Sequence, residues 1–407
     1  MGSGSVAELI RELPDRFFAP GGAGALDARV RIKAGRVTRD VVVSGDSCRV
    51  EQPGDPGPDV EVAADDGTWV DIWEGRLSGI EAFAQHRLVI RGSIEKALRF
   101  EPLFERPDEG GMRYRMERVD TGRAKVSTLV AGDPAAPPLL MIHGLGATKS
   151  SWLTIVPGMS RHFRVLAVDL PGFGSSSKPI TGYDAGWFGR HVEAFLDSQG
   201  LGPVLLAGNS MGGRVAMEVA MRTPERVPGI ACLCPAAAFR DRPALAAVRM
   251  LRPELGVLVA RLPRKRLIAG LRDLFGDPNQ LQDAWFEAAV DKFLQIWKSP
   301  RARIAFFAAA RQIYLDEPMG EEGFWERLAA CTPPTLYVYG GRDVLITPRF
   351  ADRVRSTLPS AEVHVWSDCG HVPQIEFPAR THDLMLGFYR RCLAAAAAKR
   401  RGAAAAG

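Results

Sequence analysis

The stretch that most constrains this chain is LLAGNSMGGRVAMEVA, residues 205–220. A short apolar, β-like run ends in Gly-Asn-Ser-Met-Gly-Gly, which breaks a strand, and the sequence then turns at once into a helical pattern. Glycines two residues to either side of Ser210 leave room for a strand and a helix to approach closely, while the turn holds the serine in strained geometry. A purely structural loop has the same spelling, so its meaning depends on what the rest of the chain places beside it.

The surrounding rhythm is apolar strands alternating with helices. MRYRMERV and AKVSTLVAG read as an antiparallel pair, followed by the strands PLLMIHG, FRVLAVDL, PVLLAG, PGIACLCPA, PTLYVYGG and AEVHVWSD. Helices fall after LGATKSSW, around WFGRHVEAFLDS, over MGGRVAMEVAMR and FADRVRSTL, and from about Pro378. That order predicts an α/β fold with a doubly wound, mostly parallel sheet over residues 111–395. Residues 236 to about 320 interrupt it with a Leu-, Arg-, Ala- and Phe-rich helical stretch too long for a loop, which reads as an inserted helical cap.

Residues 1–108 form a separate block. LDARVRIK, RVTRDVVV, SCRVEQ and PDVEVAAD alternate roughly between Gly, Asp and Pro signals and read as an antiparallel meander. Trp69, Ile72 and Trp73 then fall at helical spacing, followed by a short helix in SGIEAFAQ, a strand in HRLVIRG and an amphipathic helix in SIEKALRFEPLF. Strands first and helices mostly after give a small α+β domain. The Ala-rich end, residues 396–407, is low-complexity and reads as a helix end or tail without function.

Length and charge bound the rest. At 407 residues and 46% hydrophobic content, two domains with sizeable cores are expected. A formal net charge of +5 is too mild to imply a nucleic-acid partner. The most basic amphipathic part, RLPRKRLIAGLRDLF in the cap, reads as a solvated face or, more sharply, as peripheral contact with anionic membrane or lipid. The first residues lack a basic stretch followed by an apolar run, Val6 disfavours myristoylation, and no segment approaches the ~18–20 apolar residues of a membrane span. Cys48, Cys232, Cys234, Cys331, Cys369 and Cys392 show neither a disulfide framework nor a zinc spacing. A cytoplasmic location, with no metal, no organic cofactor and no obligate protein partner, is the expectation.

Ligands in open parallel sheets collect at the carboxyl ends of the strands, and four such ends carry chemistry here. Ser210 is the candidate nucleophile. Asp343, in Gly-Arg-Asp-Val after PTLYVYG, is placed to accept an imidazole N–H and to stabilise the imidazolium; a helix cap or loop Asp is the plain alternative. His371, in Asp-Cys-Gly-His after AEVHVWS, follows both in the order nucleophile, acid, base. His143-Gly144-Leu145-Gly146 would supply the Leu145 N–H to an oxyanion hole, with Met211, the residue after the nucleophile, supplying the second and His143 packed structurally.

MIHGLGATKSSW, VLAVDLPGFGSSSKP, LLAGNSMGGRVAMEVA, YVYGGRDVLITP and DCGHVPQIEFP together resemble the α/β-hydrolase family over residues 111–395. HGLGATKSSW and GNSMGG look most like its carboxylesterase, monoacylglycerol-lipase and carbon–carbon-bond hydrolase branches, and Ser210 argues against the dehalogenase and epoxide-hydrolase branches with an aspartate nucleophile. Asp169 matches a position the family uses structurally and stays outside the triad. TWVDIWEGRLSGIEAFAQHRLVIRGSIEKALRF resembles sterol-carrier-protein domains, which enclose an apolar tunnel for acyl or sterol ligands. Trp69, Ile72, Trp73, Ile80 and Phe83 would line such a tunnel, although ordinary core packing predicts the same residues. The resemblance implies a serine hydrolase acting through an acyl-enzyme on an ester of a lipid-like or acyl small molecule. Carbon–carbon bond hydrolysis, acyl transfer and a non-catalytic lipid carrier remain the alternatives.

Overall fold

In ARVRIKA the apolar residues alternate, and the strand they form, β1 (Ala28–Ala34), buries every second side chain. It occupies the middle of a five-stranded sheet in a computed structural model that describes residues 5–18, 26–237, 243–258, 262–281 and 283–406. Two short helices precede it, α1 (Val6–Arg11) and α2 (Leu13–Arg16); α1 starts at a capping box in which Ser5 and Glu8 satisfy each other's backbone N–H. After β1 come β2 (Val37–Ser44), β3 (Ser47–Glu51) and β4 (Val60–Ala64), then α3 (Asp66–Trp73), α4 (Gly79–Ala84), β5 (Leu88–Gly92) and α5 (Ile94–Phe100).

The strand order is β3-β2-β1-β4-β5, which corrects the meander expected from the sequence. Strands β1, β2 and β3 do form antiparallel hairpins, but β4 passes over and pairs with β1 in parallel, Val30 opposite Val60. The physical reason is burial. Strand β3 buries none of its residues fully and suits an edge, whereas β1, buried at every second residue, gains a partner on both sides.

The second sheet has eight strands in the order β13-β12-β11-β10-β8-β9-β7-β6. In chain order its elements are β6 (Tyr114–Asp120), β7 (Lys125–Ala131), β8 (Pro138–Ile142), α6 (Val156–Ser160), β9 (Arg164–Val168), α7 (Ala185–Ser198), β10 (Leu205–Asn209), α8 (Met211–Arg222) and β11 (Ile230–Leu233). The cap follows, with 3₁₀ segments at Pro243–Met250 and Pro253–Leu258 and the helices α9 (Arg264–Arg272), α10 (Asp283–Trp297) and α11 (Pro300–Leu315). Then come α12 (Phe324–Ala329), β12 (Thr335–Gly340), α13 (Arg349–Thr357), β13 (Glu362–Trp366), α14 (Pro373–Glu376) and α15 (Pro378–Ala406). From β9 to β13 the pairs are parallel, and at the other edge β7 runs antiparallel to both of its neighbours, β9 and β6. Along β8, Leu140 and Ile142 join one buried cluster while Leu139 and Met141 join another, so the sheet is covered by apolar layers on both faces.

One of those clusters crosses into the N-terminal unit. Ile80 and Leu98 are buried together with Leu153, Met159 and Met112. Polar contacts reinforce the junction: the Glu81 carboxylate accepts the Met112 N–H at 2.8 Å, and the Lys149 ammonium reaches Glu95 at 2.7 Å. Among the described residues no helix is long and apolar enough to cross a membrane.

Candidate active site

Strand β8 is flanked by β9 on one side and β10 on the other, so the chain reverses its direction of progress across the sheet between them. A crevice opens at such a point. The loop after β8 carries His143, Gly144 and Leu145, and the turn after β10 carries Ser210.

Ser210 has φ 54° and ψ −118°, a left-handed conformation that costs a non-glycine residue of order 1–3 kcal/mol. The turn is held by its backbone: the Ser210 N–H donates to Leu233 O at 2.9 Å, and the Ala236 N–H to Ser210 O at 3.0 Å. The flanking glycines are steric requirements. A Cβ on Gly208 would lie 2.2 Å from the Gly212 carbonyl oxygen, and one on Gly212 would lie 2.1 Å from Ile142 O. Ser210 Oγ has no hydrogen-bond partner among the described residues, and the residue lines the large cavity described below.

His371 and Asp343 are brought together by the ends of β13 and β12. His371 Nδ1 lies 2.7 Å from Asp343 Oδ2, with both side chains buried. Asp343 Oδ1 accepts the Leu345 and Ile346 N–H groups at 2.8 and 2.9 Å, which fixes the carboxylate and leaves Oδ2 for the imidazole. Cys234, whose φ is also positive, has its sulfur close to this pair. Burial, with Asp343 adding to it, pushes the Cys234 thiol well above its ordinary range, so it stays neutral beside the carboxylate.

The N–H of Met211 is the first of α8 and has no intrahelical acceptor, and that of Leu145 has none among the described residues. Gly144 brings their two loops together: a Cβ there would lie 3.2 Å from the Ser210 Cβ. His143 is fully buried and hydrogen-bonded at both ring nitrogens, its Nδ1–H donating to Gly144 O at 2.7 Å and its Nε2 accepting the Leu170 N–H at 3.0 Å. Burial lowers its pKa, consistent with a neutral ring that shapes the loop.

Several supporting residues carry no sequence signature. Asn209 Nδ2 donates to Leu233 O and to His371 O at 3.0 and 3.1 Å, tying the serine turn to the histidine loop. The Glu376 carboxylate accepts the N–H groups of Gly370 and of Gly276 in the cap, at 3.0 and 2.7 Å. Both lie within strings that mark the site, but Leu233 and His371, which accept from Asn209, and Gly276, which donates to Glu376, are remote in sequence. Lys149, beside the Leu145 loop, is enclosed by Asp169 at 2.7 Å, Glu95 at 2.7 Å and Ser127 Oγ at 3.0 Å. Burial alone would raise the Asp169 carboxyl, but the Lys149 ammonium overrides it and holds it down at about 2.

Ser210, His371 and Leu145 share a cavity of about 920 Å³, within the range of small-molecule sites. Cap helices roof it with Leu267, Leu271, Trp285, Phe293 and Phe306, and its lining is chiefly apolar. Lys292 from α10 is a polar exception, donating to Thr148 Oγ1 and Ser150 Oγ at 2.9 and 2.8 Å; burial lowers its ammonium to about 8. The basic helix α9 divides its faces. Leu267 and Leu271 line the cavity together with Arg266, while Arg264 and Arg272 pair with Asp291 and Asp283 of α10. Trp69, Ile72, Trp73, Ile80 and Phe83 all border a second space, of about 40 Å³, lined mostly by the N-terminal unit and closed by Tyr114 and Leu153; of the five, only Phe83 also borders the large cavity.

Comparison with known proteins agrees with this architecture. Residues 137–378 match the family described as alpha/beta hydrolase fold, and residues 24–105 match the SCP-2 sterol transfer family. The chain belongs to the alpha/beta hydrolase fold family, with a sterol-transfer-type unit at its N-terminal side. It is 29% identical over 278 residues to the 2-hydroxymuconate semialdehyde hydrolase of Pseudomonas sp. (strain CF600), covering 67% of this chain and 94% of the relative. It is 28% identical to the dihydrolipoyllysine-residue acetyltransferase component of the acetoin cleaving system of Pseudomonas putida, over 68% of this chain and 69% of that one. Among solved structures, a membrane phospholipase A described as a bacterial virulence factor superposes with a TM-score of 0.58 at 29% identity, covering 69% of this chain and 86% of the other.

Proposed function

We propose that this chain is a serine hydrolase that cleaves a carboxylic ester of a lipid-like acid. The observation that carries the reading is Ser210 on its strained turn, lining one cavity with His371, whose Nδ1 is held 2.7 Å from a buried Asp343. In this reading His371 Nε2 takes the Ser210 proton as the hydroxyl oxygen attacks the carbonyl, and later returns it to the leaving alcohol. Asp343 fixes the tautomer and stabilises the imidazolium, and the N–H groups of Leu145 and Met211 hold the oxyanion. Water deprotonated by His371 then attacks the acyl-enzyme, releasing the acid and restoring Ser210.

The chiefly apolar cavity, the sterol-transfer match and the likeness to a phospholipase support a lipidic acyl group. The likeness to a 2-hydroxymuconate semialdehyde hydrolase supports a second reading, in which the same residues hydrolyse a carbon–carbon bond in a dienoic acid. An ester series from acetate to palmitate, run beside a 2-hydroxy-6-oxo-dienoate, separates them. The ester reading predicts turnover that rises beyond octanoate and disappears in Ser210→Ala. Preference for acetate, or turnover of the dienoate alone, contradicts it.

A further inference from the structure

Among its described residues, the interior of the N-terminal unit is packed with aromatic rings. Trp69 and Trp73 stack with centroids 6.1 Å apart, Trp73 meets the edge of Phe104 at 5.5 Å, and Phe104 packs on Phe100 at 4.8 Å. Trp69, Trp73 and Phe100 border a space of about 40 Å³, room for roughly two or three water molecules and not for an acyl chain. A long apolar ligand would enter between this sheet and these helices only if the rings moved apart.

The outer side of the same unit is different. Strand β5 is the edge of its sheet, and its open side is covered by cap helix α10. Where they meet, Phe83, Leu88 and Ile90 line the 920 Å³ cavity that also holds Ser210 and His371, and the same three border the small interior space. They are the partition between the two. Phe83 and Ile90 are only partly buried, unlike Trp69 and Trp73, so they keep apolar surface available. The unit is fixed in this position by the contacts of Glu95 with Lys149 and of Glu81 with Met112, in addition to the shared cluster around Ile80 and Leu98.

We infer that the acyl chain of the substrate is bound against β5, so that Phe83 and Ile90 of the N-terminal unit set the acyl-length preference of the chemistry at Ser210. This rests on the ester-hydrolase reading. The sterol-transfer-type unit then acts in cis as one wall of the substrate site instead of as a carrier that loads and releases lipid. Each methylene kept out of an apolar site costs about fourfold in binding. Filling the wall at position 90 therefore penalises long chains steeply and short ones little.

The test compares the full-length wild type with Ile90→Trp, Ile90→Ala and Phe83→Ala on p-nitrophenyl esters from acetate to palmitate. The expected result is a palmitate-to-acetate ratio of kcat/KM that falls on the order of a hundredfold in Ile90→Trp, as three or four methylenes are excluded. The two alanine variants should move the preferred length upward. The ratio divides out any loss of folded protein, and the alanine variants carry the test if Ile90→Trp folds poorly. Ratios unchanged in all three variants overturn the inference. If the wild type cleaves no ester, the ester reading falls separately, and binding of the fluorescent fatty acid cis-parinaric acid to the Ser210→Ala chain decides the wall. Loss of that binding on adding Ile90→Trp supports it, and unchanged binding refutes it.

Discussion

The two apolar interiors of this chain stand in contrast. In the N-terminal unit, Trp69, Trp73, Phe100 and Phe104 pack onto one another and close the space between helices and sheet. Under the cap, Trp285, Phe293 and Phe306 surround a space they do not fill. Both regions are rich in aromatic rings, so composition does not separate them. What separates them is the backbone at the floor: strands β8, β10, β12 and β13 end in loops that carry Gly144, Ser210, Asp343 and His371, and the cap helices bridge over those ends. Packing therefore stabilises one region, and in the other the polar ends of a sheet are kept accessible.

The largest effect expected from this contrast is chemical. Asp343→Asn should lower kcat on a long-chain ester about 10⁴-fold while leaving the melting transition nearly in place, measured by steady-state kinetics beside thermal unfolding. Activity that survives within tenfold would move the chemistry away from this pair.

Lys149→Met comes next, because it strands the carboxylates of Glu95 and Asp169 without their cation. Breaking a buried pair this way costs about 3–5 kcal/mol, seen as a lower urea midpoint. A midpoint within the error of wild type would show that the junction between the units is not held there. Trp73→Ala should cost a similar ~3–5 kcal/mol by opening a cavity in the N-terminal unit, and kcat on a short ester, per folded molecule, should stay near the wild-type value. If acetate turnover collapses as well, the two interiors are not independent.

The smallest effect is a pH slope. Burial lowers Lys292 to about 8, below its ordinary value, so between about pH 8 and 10 the unfolded chain binds more protons than the folded one. The penalty for burying the ammonium is fully present below pH 8 and is relieved as pH rises, so this residue's contribution to stability increases across that window. Urea midpoints at several pH values in wild type and Lys292→Met should differ by this slope. Parallel curves would place Lys292 in contact with water.

What the sequence made legible follows the same division. The strand–turn–helix around Ser210 and the two later strand ends were readable because each needs particular residues at fixed local offsets: Gly208 and Gly212 have no space for a Cβ, and His371 follows its strand with a flanking glycine. The pairing of β4 with β1 was not, since alternation marks a strand without naming its neighbour. Helix α1 escaped notice at six residues, too short for a period to show, although its Ser5–Glu8 capping box was present. Asn209, Glu376 and Glu95 act through partners up to 162 residues away, and no local pattern encodes that. The wall formed by Phe83 and Ile90 arises from docking of one unit on another, which no local pattern encodes; Phe83 borders the small interior space as well as the large cavity.

The account depends on Ser210 being the nucleophile, and covalent capture addresses that most directly. A fluorophosphonate probe reacts only with a serine that a neighbouring base activates. Intact-mass and peptide analysis should find one equivalent of probe on the peptide carrying Ser210 in the wild type and none in Ser210→Ala. Absence of labelling in the folded wild type, or equal labelling of Ser210→Ala, would contradict it.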